Sequence, residues 1–198
     1  MTASRLKQAA LTLFAESGYE GVSLSEIAKS VGIKTPSIYA HFDSKEQLFI
    51  ELLEDAIKEE QAKLLALLHE TEAKPPIGRL RAMFLFYTDL DQITKGQSFL
   101  KRTLLMPPRH LQERLSQYLT AYEDEVTLHL TALLHGAAAQ PAKQLNQEQT
   151  ERLLALFYAL IDGLLVEHKL YDSALYRRRQ ELLWGWLQEG ISRETKGG

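Results

Sequence analysis

Between Val31 and Phe49 the chain reads VGIKTPSIYAHFDSKEQLF, and four residues in that run, Thr35, Ser37, Tyr39 and His41, carry hydrogen-bonding side chains within one short helical segment. Hydroxyl, phenol and imidazole groups at this density suit contacts to phosphate oxygens and base edges, and the Thr35 methyl suits the methyl of thymine. Lys34 and Lys45 bracket the segment and suit phosphate contact. The face holds no Arg, so strong bidentate reading of guanine is not expected from it. Arg5 lies far enough upstream to offer a separate cation.

Such a face needs a frame. Leu6, Ala9, Ala10, Leu13 and Phe14 recur at helical spacing, and Gly18 ends that helix. Ser23 with Glu26 has the capping-box spacing and opens a second helix over Leu24 to Val31, stopped by Gly32. Thr35 caps the short third helix, with Pro36 at its first position, where the missing N–H costs nothing. Small Ala28 permits a close crossing, and Ile27, Val31, Ile33 and Ile38 form a shared small core. Two short helices joined by a tight turn fit helix-turn-helix geometry. Ser44, with Gln47 three positions on, opens a long helix that Leu48, Leu52, Ile57, Leu64 and Leu68 carry to about His69.

Beyond Pro75-Pro76 the periodic segments continue. One runs from Ile77 to about Leu90, and DQITKGQS reads as a linker. Phe99 to Met106 reads as a short helix stopped by Pro107-Pro108, and His110 to about His135 as a long one. GAAAQPAKQLNQEQ reads as a loop, and Asn146 with Gln149 caps the next helix. The last helix ends near RETKGG, a tail expected to fray. No stretch alternates with period two for long enough to be a strand, so the expectation is an all-α chain of about nine helices.

Bulk properties narrow the function. The chain has 198 residues and a net charge of -3, and residues 1–50 hold five Lys or Arg against five Asp or Glu. Nucleic-acid binding therefore rests on a local face, not on overall charge. Absence of cysteine excludes disulfides, thiolate metal sites and thiol nucleophiles. The charged first turns read as a helix and not as a targeting segment. No apolar run of about 18 residues suggests a membrane span. Glu125 and His129 are spaced to share a metal, but no Glu-x-x-His pair, phosphate loop or nucleophile elbow accompanies them. An enzyme, a cofactor and a metal are not expected.

The stretch LTLFAESGYEGVSLSEIAKSVGIKTPSIYAHFDSKEQLF resembles the DNA-binding domain of the tetracycline-repressor (TetR) family of transcriptional regulators. The elements that carry the resemblance are F-x-x-x-G-Y, S-x-x-E-I-A-K-x-x-G-I and S-I-Y-x-H-F-x-S-K-E-x-L. It implies a helix-turn-helix domain over residues 1–46 and a helical effector-binding and dimerisation domain over 47–198. By the same resemblance Ser25, Thr35, Tyr39 and Lys45 contact phosphates, Ser37 and its neighbours Lys34 and Pro36 approach the DNA, and His41 touches its backbone. The expected partners are a double-stranded operator, a second copy of the chain and a small-molecule effector, and the expected location is the cytoplasm. Apolar residues of the last two long helices, including Leu154, Phe157, Leu165, Leu182 and Trp186, are expected to form the homodimer, with Gly163 permitting close approach. Met83, Phe86, Tyr87, Phe99, Met106, His110, Tyr118, Tyr122 and Asp162 are candidates to line an apolar effector pocket. The rival expectation keeps the DNA-binding domain but gives the helical body a protein partner instead of an effector.

Overall fold

The structure is a computed structural model and describes residues 2–91, 93–138 and 144–196, the side chains of the last two excepted. Among the described residues every regular element is helical: α1 (Thr2–Ser17), α2 (Leu24–Ser30), a 3-10 helix (Thr35–Ala40), α3 (Lys45–Glu70), α4 (Pro76–Thr88), α5 (Lys95–Leu105), a 3-10 turn (Arg109–Leu111) that leads into α6 (Gln112–Ala138), α7 (Gln147–Glu167) and α8 (Ser173–Lys196). The chain divides into two compact units, Met1–Lys63 with Ile93–Tyr122, and Leu64–Gln92 with Glu123–Gly198. Helices α3 and α6 each contribute residues to both. None of the described helices is long and apolar enough to cross a membrane.

In the first unit α1 buries Leu6, Ala10 and Phe14 along one stripe. Phe14 meets Phe49 of α3 edge-on with centroids 5.1 Å apart, and Phe49 meets Phe99 of α5 at 4.9 Å. These rings form the apolar floor on which α1 and α5 lie together. In the second unit Phe84 of α4 packs against Phe157 of α7 at 6.2 Å and Trp184 of α8 at 5.6 Å. The buried hydroxyl of Tyr176 donates to the Thr88 carbonyl at 2.6 Å, and Gln180 donates to the Thr88 hydroxyl at 2.8 Å. This fastens α8 to the end of α4.

The capping boxes at Ser23/Glu26 and Asn146/Gln149 form as their spacing predicts. Three local outcomes differ from the sequence reading. The segment read as a linker contains a third box, Thr94 with Gln97, so α5 starts at Lys95 and not near Phe99. Thr35 is the first residue of its helix and not the cap: Lys34 holds that place without a side-chain cap bond, and the Thr35 hydroxyl turns to Ser25. The short helix is also 3-10 in form, with Ser37 N–H bonding Lys34 O at 2.9 Å and His41 N–H bonding Ile38 O at 2.9 Å. Six residues fixed by Pro36 at one end and a closing turn at the other favour the tighter i→i+3 pattern. The loop expected over 136–149 is described only in part: α6 continues to Ala138, and residues 139–143 lie outside the described residues.

Candidate nucleic-acid interface

The turn between α2 and the 3-10 helix is built by Gly32, which has φ +76° and open space where a Cβ would stand. Its left-handed conformation is one that L side chains resist. The Ile33 N–H returns to the Ala28 carbonyl at 3.0 Å and closes the turn. Ile27, Ala28 and Ile38 are fully buried beneath it. With three residues per turn, positions i and i+3 of a 3-10 helix eclipse one another. Buried Ile38 and half-buried Thr35 therefore lie on the inner line, with Lys34, Ser37 and Ala40 on one outer line and Pro36 with Tyr39 on the other, while His41, just past the helix end, is exposed. Tyr39 is 55% exposed, although it is a large aromatic residue.

Ser25, Thr35, Tyr39 and Lys45 come together around one open depression of about 530 Å³, which Glu20 to Glu26 complete. The Thr35 hydroxyl donates to Ser25 Oγ at 3.3 Å, so the start of α2 and the start of the 3-10 helix are joined at this edge. Lys34, Pro36, Ser37 and His41 are exposed beside it. Lys45 is placed differently from a free phosphate clamp. Its ammonium donates to the carbonyls of Tyr19 at 2.9 Å and Val22 at 3.0 Å, and sits 3.9 Å from the centroid of the Tyr19 ring. It locks the turn before α2 to the root of α3 and adds positive charge to the depression. Sequence reasoning missed Tyr19 as the base of this lock; the signal was the aromatic that follows Gly18 directly. Gly21 in the same turn is required by contact, since a Cβ there would stand 2.5 Å from the Ser17 carbonyl oxygen. Arg5 donates to the Val31 carbonyl at 3.3 Å.

Several acids near the interface are neutralised by partners. Lys95 of α5 pairs with Glu16 at 2.7 Å, and Arg114 of α6 pairs with Glu46 at 2.8 Å. His110 lies 3.7 Å from the Glu20 carboxylate and 5.1 Å, ring to ring, from Tyr19. Hydrogen bonds from the Ser23 hydroxyl and backbone hold the Glu26 carboxyl below the usual range. Glu16 and Glu46 are thus offset by cations from outside residues 1–50, while Glu26, held low, stays anionic.

The expected effector-pocket residues are divided between the two units. In the second, Met83 and Tyr87 are buried, Phe86 is half-buried with its ring 5.0 Å from that of Tyr87, and Asp162 is exposed on α7. In the first, Phe99 belongs to the aromatic floor, His110 lies against Tyr19, and Met106 is 71% exposed. Tyr118 is half-buried and Tyr122 buried. Among the described residues no group of three His, Asp or Glu is arranged to hold a metal ion.

Two short helices held at a glycine turn over a common apolar floor, the second exposing its polar residues, define a helix-turn-helix protein. Residues 6–52 match the profile of bacterial regulatory proteins, tetR family. Over 40 residues the chain is 58% identical to the biofilm operon icaADBC HTH-type negative transcriptional regulator IcaR of Staphylococcus aureus (strain Newman), which covers 20% of this chain and 22% of IcaR. The match thus spans about a fifth of the length of that relative. The whole chain is similar in fold to superantigen PfiT, with a TM-score of 0.70 and 21% identity, covering 91% of this chain and 93% of PfiT. It is also similar to AibR in complex with isovaleryl coenzyme A and operator DNA, with a TM-score of 0.69 and 19% identity over 94% of this chain and 97% of AibR.

Proposed function

We propose that the chain is a transcriptional repressor that binds a palindromic DNA operator as a homodimer and is released by a small apolar or aromatic effector. The observation that carries this reading is the exposed 3-10 helix, with Ser25, Thr35, Tyr39 and Lys45 gathered around one depression beside it. The Ser25, Thr35 and Tyr39 hydroxyls meet phosphate oxygens there. Lys34, Pro36, Ser37 and His41 approach base edges and the adjacent backbone. Repression is supported by IcaR, a negative transcriptional regulator to which the chain is 58% identical over 40 residues. AibR, similar in fold, binds both an operator and an acyl coenzyme A.

The dimer is proposed through the outer faces of α7 and α8. Leu182 is 56% and Trp186 62% exposed, and Leu175, Val166 and Leu170 are exposed as well. A Cβ at Gly163 or at Gly185 would meet nothing within 4 Å, so both helices leave room for a second copy to approach. Isologous pairing of such a face gives the twofold symmetry that a palindrome requires. Effector contacts are assigned to Tyr118 and Tyr122 of α6, within the first unit. Release works by population shift: the effector favours an arrangement of the dimer whose reading helices no longer match the half-site spacing.

Selection of genomic DNA fragments by the purified protein, followed by sequencing, tests the proposal. An enriched palindrome is the expected result, and recovery of fragments with no sequence in common would refute it.

A further inference from the structure

Glu60 lies on the buried stripe of α3, between Ala56-Ile57 and Leu64, and is only 3% exposed. Gln97 of α5 hydrogen-bonds its carboxylate, but Oε2 is completely covered and has no hydrogen-bond partner. A buried carboxylate oxygen left this way costs more than most single interactions return. Protonation removes the charge but leaves Oε2 without a hydrogen-bond partner. Burial pushes the Glu60 carboxyl above its usual range, against the lowering effects of Lys101, Gln97 and Lys63. Lys63 itself is held by Glu59 at 2.5 Å and by the Thr94 hydroxyl at 3.4 Å.

We propose that Glu60 is the anchoring carboxylate of the effector site and that the effector carries a cationic nitrogen group, an ammonium or amidinium, on its apolar or aromatic body. This rests on the effector-controlled reading above and narrows its ligand class. A nitrogen cation supplies both the donor that Oε2 lacks and the compensating charge, while a neutral apolar or an anionic effector supplies neither. Because Oε2 is covered, the cation reaches it only by parting α3 from α5, and the parting is transmitted. Gln97, which holds the other side of the carboxylate, also accepts the Thr94 N–H at 3.0 Å and so caps α5. That helix grips the N-terminal helices directly. Lys95 pairs with Glu16, Phe99 packs on Phe14 and Phe49, and the Arg102 guanidinium lies 3.1 Å from where a Gly18 Cβ would stand. A ligand drawn to Glu60 therefore disturbs the cap of the helix on which α1 rests.

The test titrates the full chain at neutral pH with three aromatic amines (phenethylamine, tryptamine and 1-naphthylmethylamine), and with 2-phenylethanol and 3-phenylpropionate as neutral and anionic counterparts. Binding is read by calorimetry on the wild type, Glu60→Gln and Glu60→Met. The thermal midpoint of each variant without probe establishes folding, and Glu60→Met replaces Glu60→Gln if the latter does not fold. At least one amine is expected to bind the wild type, the alcohol and acid to bind more weakly, and the variant to lose affinity for the amine by about tenfold or more. Equal amine binding by wild type and variant, preference for the alcohol or acid, or no amine binding at all would overturn the assignment of Glu60. Those results leave the regulator reading standing if an operator is still selected; failure to select any operator refutes that reading instead.

Discussion

At Lys45 one side chain serves two ends. Its ammonium is bound by two main-chain carbonyls and an aromatic face, so its first effect is on the turn that leads into α2. Lys45→Met should therefore lower stability by about 1–3 kcal/mol, measured by denaturant unfolding, as well as weakening DNA binding. A lysine that only touched phosphate would leave the unfolding midpoint unchanged. Tyr39 has no such structural bond, and Tyr39→Phe should weaken binding to every DNA sequence by about 1 kcal/mol while leaving stability unchanged. Ser37→Ala should alter the sequence preference recovered from random oligonucleotides. Glu26 contributes through pH. Its carboxyl is held low in the fold by Ser23, so its stabilisation is present above the ordinary carboxylate pKa and is lost as pH falls through the lowered folded value. Acid titration of helicity should show wild type losing an advantage over Glu26→Gln that it holds at neutral pH.

Among the elements, the short helix depends most on its surroundings. Isolated, six residues would not stay helical. Here Ile38 pins it to Ile27 and Ala28, and Gly32 sets its approach. Since a Cβ at Gly32 meets no neighbour, Gly32→Ala isolates the backbone term. It should cost about 1–2 kcal/mol of stability with no steric contribution, checked by unfolding and by retention of the helical spectrum. Capping chemistry was legible wherever the box stood before an apolar run, as at Ser23 and Asn146. It was missed at Thr94 because Gly96 and a polar run hid the helix start, and only the packing of Phe99 and Leu100 on the buried side draws α5 out to Lys95. The 3-10 form of the reading helix was not legible, since the same residues satisfy either helical pattern and the neighbouring core selects between them.

For the molecule as a whole, the exposed face of α7 and α8 is the feature a lone chain does not explain. Leu182→Glu with Trp186→Glu should shift the species seen in sedimentation from dimer to monomer and abolish operator binding, with the fold retained because both positions lie outside the core. The second unit also has an alkaline limit. Burial raises the Tyr176 phenol to about 12. The neutral phenol is the form held by Thr88, so its stabilisation is complete below the ordinary phenol value and is lost as pH rises through the folded one. Thermal midpoints should fall over that alkaline range in wild type and less so in Tyr176→Phe.

The sequence by itself determined that the chain is helical and where the helix-turn-helix lies, because period, caps and glycine stops are local properties written in consecutive residues. It also held a clue to Glu60, whose spacing from Ile57 and Leu64 places an acid on the apolar stripe of α3. Only the tertiary structure decided that the Glu60 oxygen is sealed without a partner, that Lys45 bonds inward as well as adding charge, and that Phe99 and His110 belong to the support of the N-terminal helices. Each of those outcomes depends on which distant helix comes to lie against the residue, and such long-range packing has no signature in the spacing of the residues themselves.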